Sequence, residues 1–261
     1  DTYSLMPVEI TQYVKEGVSN TVTASIDYTV MQYWQVTDQN DNTAQVIYDA
    51  LGRVIASTGY GTADGILEGD GDVSEYVRKD MDLEGVLADP KACVQDMTGF
   101  YYYDQLAYQE RKQPVSSILL TRETYRSSRR EEVINCQVCY WDGFGHQSEE
   151  KYKYDENKWI VKNRTVYDGN GKELLIYPSF FADSPYYEYS EIPLPPVRQH
   201  YDSMGRTVKK EIPDTGIEGL SYAYLYSRTE YHPWEIREYD ENQCLADSGY
   251  YKDFLARYPQ N

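Results

Sequence analysis

The chain has 261 residues, with 43 acidic against 25 basic side chains and a formal net charge of −18. That charge excludes a nucleic acid or an anionic membrane as the partner, since both select clustered lysine and arginine. The 29 tyrosines beside five phenylalanines exclude a disordered acidic tail, which is poor in aromatics. The length fits one large domain or two small ones, able to bury an apolar core without disulfide staples. No apolar run approaches the roughly 18 residues of a membrane-spanning helix. The chain opens at Asp1 without a basic n-region or an apolar h-region, and so reads as an excised piece with no signal peptide.

In chain order, Thr21 to Val30 alternates with period two, as a half-buried strand does. Ala44–Ile47 and Val54–Ala56 are β-rich and flank Tyr48-Asp49-Ala50-Leu51-Gly52-Arg53. Gly59 to Asp72, rich in glycine and aspartate, reads as a loop, and residues 59–98 as a loop-and-helix insertion. Within it, Asp72 resembles an N-cap for a helix over Val73–Lys79 with Val73, Tyr76 and Val77 on one face. Ser117–Tyr125 and Val133–Tyr140 read as strands, the second running into Trp141-Asp142-Gly143-Phe144-Gly145-His146. Trp159–Tyr167 reads as one strand entering Tyr167-Asp168-Gly169-Asn170-Gly171-Lys172, with Glu173–Ile176 leading out. Three prolines make Ser190–Pro196 a connector that cannot pair fully in a sheet. Tyr201-Asp202-Ser203-Met204-Gly205-Arg206 follows, then the β-rich stretch Leu220–Tyr231. Near the end, Ser248 precedes an apolar stripe of Tyr251, Phe254, Leu255 and Tyr258 at helical spacing, stopped by Pro259.

The four hexapeptides share one pattern: aromatic, aspartate, two variable residues, glycine, then usually a basic residue. Aspartate at a turn's first position accepts hydrogen bonds from main-chain N–H groups further along. Glycine supplies the positive φ that ends a tight turn. The aromatic ends the incoming strand and packs across it, and the basic residue opens the outgoing strand near the aspartate. The aspartates are separated by 93, 26 and 34 residues, which excludes a propeller or a solenoid of fixed period. The expected fold is therefore all-β and mainly antiparallel, a single region over residues 1–261 with one or two short helices.

Chemical motifs are sparse. Cys136 and Cys139 have the spacing of half a zinc site, but on a strand they point to opposite faces. Cys93, Cys244 and the three histidines are dispersed, so buried free thiols are the better reading and no metal site is assigned. Glu68, Asp70 and Asp72 offer oxygens of the kind calcium takes without the full EF-hand pattern; residues 66–72 then read as a calcium loop or a plain surface loop. No nucleophile elbow, zinc-protease helix, phosphate loop or dinucleotide fingerprint is present. The acidic pairs Glu149/Glu150 and Asp240/Glu241 would be split between opposite faces of a strand, so no catalytic residue is assigned. The aromatic runs Phe100–Tyr103 and Tyr186–Tyr189 read as cross-strand packing, or alternatively as a sugar-stacking platform through Tyr102 or Tyr187.

The tyrosine–aspartate turns make the chain resemble the RHS/YD-repeat proteins, and most closely the B component of bacterial insecticidal toxin complexes. Four ordered stretches carry the resemblance: Val36–Thr43 with Tyr48–Val54; Phe100–Asp104 with Arg111–Val115; Asp142–Gly145 with Arg164–Tyr167; and Pro233–Glu235 with Tyr239–Asn242 and Asp247–Tyr251. It implies a strip of strands spiralling into part of a hollow shell that, with a C-type partner, encloses a toxic cargo polypeptide. It also implies a released or secreted complex, an indirect link to a pore-forming A component, and no cofactor. The chain departs from the family at His146, which stands where a basic residue is usual, and at His232. It shows neither a propeller segment nor the aspartate self-cleavage motif. A cell-surface adhesion or glycan-binding module built from the same repeats is the alternative.

Overall fold

The computed structural model describes every residue except Glu16, Asp64, Gly65, Arg129, Glu191, Pro193, 215–222, 245–248 and 260–261. Eighteen strands and five short α-helices are described, so the fold is all-β and antiparallel as expected, with more helices than the one or two expected. The chain divides into two compact units, Asp1–Val138 and Cys139–Asn261.

The first unit holds β1 (Glu9–Lys15), β2 (Val18–Asp27), β3 (Gln32–Thr37), β4 (Thr43–Tyr48), β5 (Val54–Ala63), β6 (Ile66–Gly69), β7 (Gly99–Asp104) and β8 (Val115–Arg122), and most of β9 (Ile134–Trp141). Its strand order is β1-β2-β3-β4-β5-β7-β8-β9, with β6 pairing off β5. β2 stops at Asp27, three residues short of the expected strand, because Met31 takes a φ of 55° in the turn that follows. The expected loop from Gly59 is largely a hairpin: Tyr60 pairs with Gly69 and Ala63 with Ile66. Helical structure at Asp72 is one 3-10 turn, Val73–Glu75, and the chain is extended again at Tyr76. The helices lie further on, α1 (Leu83–Ala88) and α2 (Pro90–Val94), each started by an aspartate that accepts from the third residue beyond it, Asp82 from Gly85 and Asp89 from Ala92. α1 buries Leu83 and Val86 and packs on β7, and α2 buries Cys93 and Val94 and packs on β7 and β8. α3 (Ala107–Arg111) joins β7 to β8 and ends at Lys112 in the left-handed region.

The second unit begins at the end of β9 and continues with β10 (Gln147–Asp155), β11 (Lys158–Lys162), β12 (Thr165–Tyr167), β13 (Glu173–Ile176), β14 (Phe180–Ala182), β15 (Val197–Tyr201), β16 (Thr207–Asp214), β17 (Ala223–Tyr231) and β18 (Ile236–Tyr239). The expected strand Trp159–Tyr167 is two strands, broken at Asn163 by a φ of 53°. Its halves part company: β11 sits in the order β9-β10-β11-β14, while β12 opens a second sheet, β12-β13-β15-β16-β17-β18. Residues 220–222 of the expected strand Leu220–Tyr231 lie outside the described residues. Two more helices follow, α4 (Glu241–Cys244) and α5 (Gly249–Arg257). Of the expected stripe on α5, Tyr258 is exposed and Leu255 half-buried; Ser248 and the side chains of Tyr251 and Phe254 lie outside the described residues. Asp240 caps α4 by accepting from the Gln243 N–H at 2.8 Å, so the pair Asp240/Glu241 stands at a helix start and not on a strand.

Candidate functional site

Four hexapeptides build one turn. In each, the aspartate N–H donates to the carbonyl of the basic residue four positions on, at 2.8–2.9 Å for Asp49, Asp142, Asp168 and Asp202. The glycine N–H returns a bond to the aspartate carbonyl, and Gly52, Gly145, Gly171 and Gly205 all have φ of 76–86°. One carboxylate oxygen accepts from two further N–H groups: Leu51 and Arg53 on Asp49, Phe144 and His146 on Asp142, Asn170 and Lys172 on Asp168, Met204 and Arg206 on Asp202. The other oxygen holds the basic side chain, through Arg53 Nε at 2.8 Å, Arg206 Nε at 2.8 Å and His146 Nδ1 at 2.8 Å. At Asp202 the Arg206 hydrogen bonds hold the carboxyl below the usual range. At Asp49 and Asp142 burial pushes the carboxyl up, but the bonds from Arg53 and His146 outweigh it and the net direction is down.

The turns are linked to their neighbours by the same residues. The basic side chain of one turn lies over the tyrosine of the next repeat: Arg53 over Tyr103 at 4.4 Å, Lys172 over Tyr201 at 5.9 Å and Arg206 over Tyr231 at 4.2 Å. His146 takes this place over Tyr167, with ring centroids 4.8 Å apart and planes 25° from parallel. Each of those tyrosine hydroxyls donates to the carbonyl of the residue after the base: Tyr103 to Val54 (3.0 Å), Tyr167 to Gln147 (3.0 Å), Tyr201 to Glu173 (2.9 Å) and Tyr231 to Thr207 (3.1 Å). The ring and the base thus form a cation–π or stacked pair, and the hydroxyl caps a main-chain group. The register shifts by one residue at Tyr48, Tyr167 and Tyr201, a bulge at the end of each incoming strand.

Two turns escape the hexapeptide pattern. Asp38 accepts from the N–H groups of Asn40 and Asn42 at 2.7 and 2.9 Å, and Asp41 takes the glycine's place with a φ of 60°. Asn42 replaces the base, its Nδ2 donating to Asp38 Oδ2 at 2.9 Å. The available signal was aspartate or asparagine three residues after an aspartate, since these two tolerate positive φ. Asp27 starts a turn one residue longer, in which Gln32 reaches the Gly52 carbonyl at 3.0 Å and the Tyr48 hydroxyl donates to the Tyr33 carbonyl at 2.8 Å.

Other singled-out residues are engaged elsewhere. Asp70 is buried and accepts from Thr98 Oγ1 at 2.6 Å and the Arg126 N–H at 2.8 Å. Asp72 accepts from Gln45 Nε2 and the Tyr60 hydroxyl, both at 2.8 Å, and from the Ser74 N–H. Burial and the bond to Asp72 push the Tyr60 hydroxyl up to about 12. Cys93 and Cys136 are buried, and Cys139 and Cys244 are half-buried. Among the described residues no three histidine, cysteine or carboxylate side chains converge as metal ligands. Glu149 and Glu150 do divide between the two faces of β10, one buried and one half-buried. Tyr187 packs between Tyr140 and Tyr189, under the Arg164 guanidinium at 4.1 Å.

Beneath Tyr187 lies a buried charged group that sequence reasoning missed. Arg164 Nη1 meets Glu149 Oε2 at 2.5 Å, and Lys151 Nζ donates to the carbonyls of Ser184 and Tyr186 at 3.2 and 2.6 Å. Burial pushes the Lys151 amine down. The alternation of β10 was the available signal: it places Glu149 and Lys151 on the inward face.

Open antiparallel sheets with interlocked aspartate turns define an all-β fold like that of an RHS-type shell. Solved structures that share this fold include toxin-complex components. TcdB2-TccC3 matches 87% of this chain at a TM-score of 0.77 and 24% identity, and its complex with Cdc42 matches 90% at 0.75 and 21%. The Tc holotoxin pore of Photorhabdus luminescens matches 87% at 0.69 and 20%. This chain spans 12–14% of the length of those chains. No family model and no curated protein sequence matches it.

Proposed function

We propose that this chain is a structural segment of a B-type toxin-complex component, part of a β-shell that encloses a toxic polypeptide, with no catalysis of its own. The observation that carries this reading is the extent of the structural likeness, a TM-score of 0.77 over 87% of the chain. The turn geometry supports it. Each repeat hands its base to the next tyrosine, so strands can be added without a closing partner, as a container wall requires. The residues that carry the role are Tyr48, Asp49, Gly52, Arg53, Trp141, Asp142, Gly145, Tyr167, Asp168, Gly171, Tyr201, Asp202, Gly205 and Arg206, all as turn and inter-repeat contacts. The partners are a C-type component with its enclosed cargo, and a pore-forming A component indirectly. The assembly acts after release from the bacterium.

The test is protease protection of the cargo in the complete B–C assembly containing this segment. The cargo should resist digestion, and Tyr201→Ala with Arg206→Ala, which unlinks two neighbouring repeats, should expose it. A cargo digested equally in both assemblies would overturn the reading. Glycan-array binding lost on Tyr102→Ala would transfer support to the adhesion module.

A further inference from the structure

We infer that the open sheet face of the first unit is a docking surface for an extended polypeptide segment that is apolar and carries a basic side chain. The register sets one row of residues side by side on five consecutive strands. Ile10 of β1 stands opposite Val22 of β2; two residues on, Ala24 stands opposite Val36 of β3, Val36 opposite Ala44 of β4, and Ala44 opposite Gly59 of β5. None of the six is polar. Ile10 is 61% exposed, Val22 and Val36 are each 37% exposed, and Ala44 is exposed as well. The other face of the same strands is polar, and it is the covered one: Thr43, Gln45 and Thr58 are buried. Thr37 and Thr43 bring their hydroxyls to 3.0 Å, Gln45 Nε2 donates to Gln35 Oε1 at 3.0 Å, and Thr58 donates to the Gly71 carbonyl at 2.7 Å. A sheet with one solvated face turns its apolar side to the core and its polar side to water. Here that order is reversed, and a contiguous exposed apolar row marks a contact surface.

The shape and charge of the face specify what covers it. Five strands at about 4.8 Å spacing make a row about 19 Å long, the reach of roughly six extended residues. Along β1 and β2 the row is bounded on the same face by polar Gln12 and Asn20, a width that suits one extended chain rather than a lipid surface. At β5 the row opens into a cavity of about 510 Å3 that Val36, Ala44, Gly59, Gly61 and Tyr125 help to line, within the size range of ligand sites. A Cβ at Gly59 would meet only the Thr43 carbonyl, at 4.0 Å, so the space over that glycine is open. The two charged residues of the lining, Asp38 and Glu68, are both acidic, and its neutral polar ones include Asn42 and Thr62. Glu68 stands opposite Gly61 on the face of the row and is exposed. An acidic segment would meet these carboxylates, and a second copy of a chain with a net charge of −18 would be repelled. A lysine or arginine satisfies them while its methylenes cover the glycines. The surface is independent of the container role, which rests on the turns and on the structural likeness.

The test is fluorescence anisotropy of a labelled, capped peptide that alternates valine with threonine and ends in lysine, titrated with the 261-residue chain. Two counterparts replace the lysine by glutamate or the valines by serine. The lysine peptide should bind about tenfold more tightly than either. Val36→Lys, at an exposed position, should abolish binding, and Glu68→Gln should reduce the preference for lysine over glutamate, with thermal melts confirming both folds. Equal affinity for the lysine and glutamate peptides, no binding, or binding untouched by Val36→Lys would overturn the inference. So would a face that serves another occupant: phosphatidylcholine vesicles or a second copy bound through Val36 while the peptide is not.

Discussion

At the scale of single residues, the turn glycine does two jobs that can be separated. All four turn glycines have positive φ, so any side chain there is strained by about 1–2 kcal/mol. They differ in what a Cβ would meet. At Gly145 nothing lies within 4 Å, whereas at Gly171 a Cβ would fall 2.7 Å from the His146 ring. Gly145→Ala should therefore cost the conformational strain alone, roughly 1 kcal/mol, and Gly171→Ala measurably more, since it also displaces His146 from Tyr167. Gly52→Val should cost about 1–2 kcal/mol or more. Thermal melts of the three variants check this; an equal loss at Gly145 and Gly171 would mean that the link between repeats contributes nothing. The strain was legible in the hexapeptide. The contact with His146 was not, because it joins residues of different repeats.

At the scale of the hairpin, stability depends on ionisation at both ends of the pH range. The carboxyls of Asp49, Asp142 and Asp202 are lower when folded, as is that of Asp72, where the bond from Ser74 leads and those from Gln45 and Tyr60 assist. A depressed folded value adds stability that is present above the unfolded value, about 3.9, and is lost as pH falls through the folded one. Stability should thus be flat near neutrality and decline below about pH 4. Tyr60 has the opposite sign. Its folded value, raised to about 12 by burial and by Asp72, adds stability that is full below the unfolded value near 10 and is lost as pH rises toward 12. Denaturant midpoints from pH 2 to 12 check both limbs, and Tyr60→Phe should make the alkaline one shallower, leaving the part due to other buried tyrosines such as Tyr76, also raised to about 12 by burial. Neighbouring elements were less legible. A strand was expected across Asn163, where one left-handed residue sends β11 and β12 to different sheets, and α1 and α2 hid in a stretch whose helical cues are two aspartate caps without a long apolar period.

At the scale of the whole chain, the open sheet leaves β1 as an edge in the first unit, with Ile10, Tyr13 and Val14 at 61, 83 and 60% exposure. Unpaired edges with apolar side chains recruit further strands. The isolated chain should self-associate as concentration rises, and Val14→Lys should suppress this; light scattering that shows a monomer for both at high concentration would count against an active edge. The carboxylate surplus and the tyrosine count were readable at once. Local sequence also prescribed the aspartate turns, since an aspartate, a glycine three on and flanking β-branched residues close a hairpin through bonds spanning at most five positions. It did not prescribe which tyrosine lies under which base, that Glu149, Lys151 and Arg164 are buried together, or which strands share a sheet. The base–tyrosine pairs join residues 21 to 50 positions apart and Glu149 meets Arg164 across 15, and only the packing of one strand on another brings them within a few ångströms.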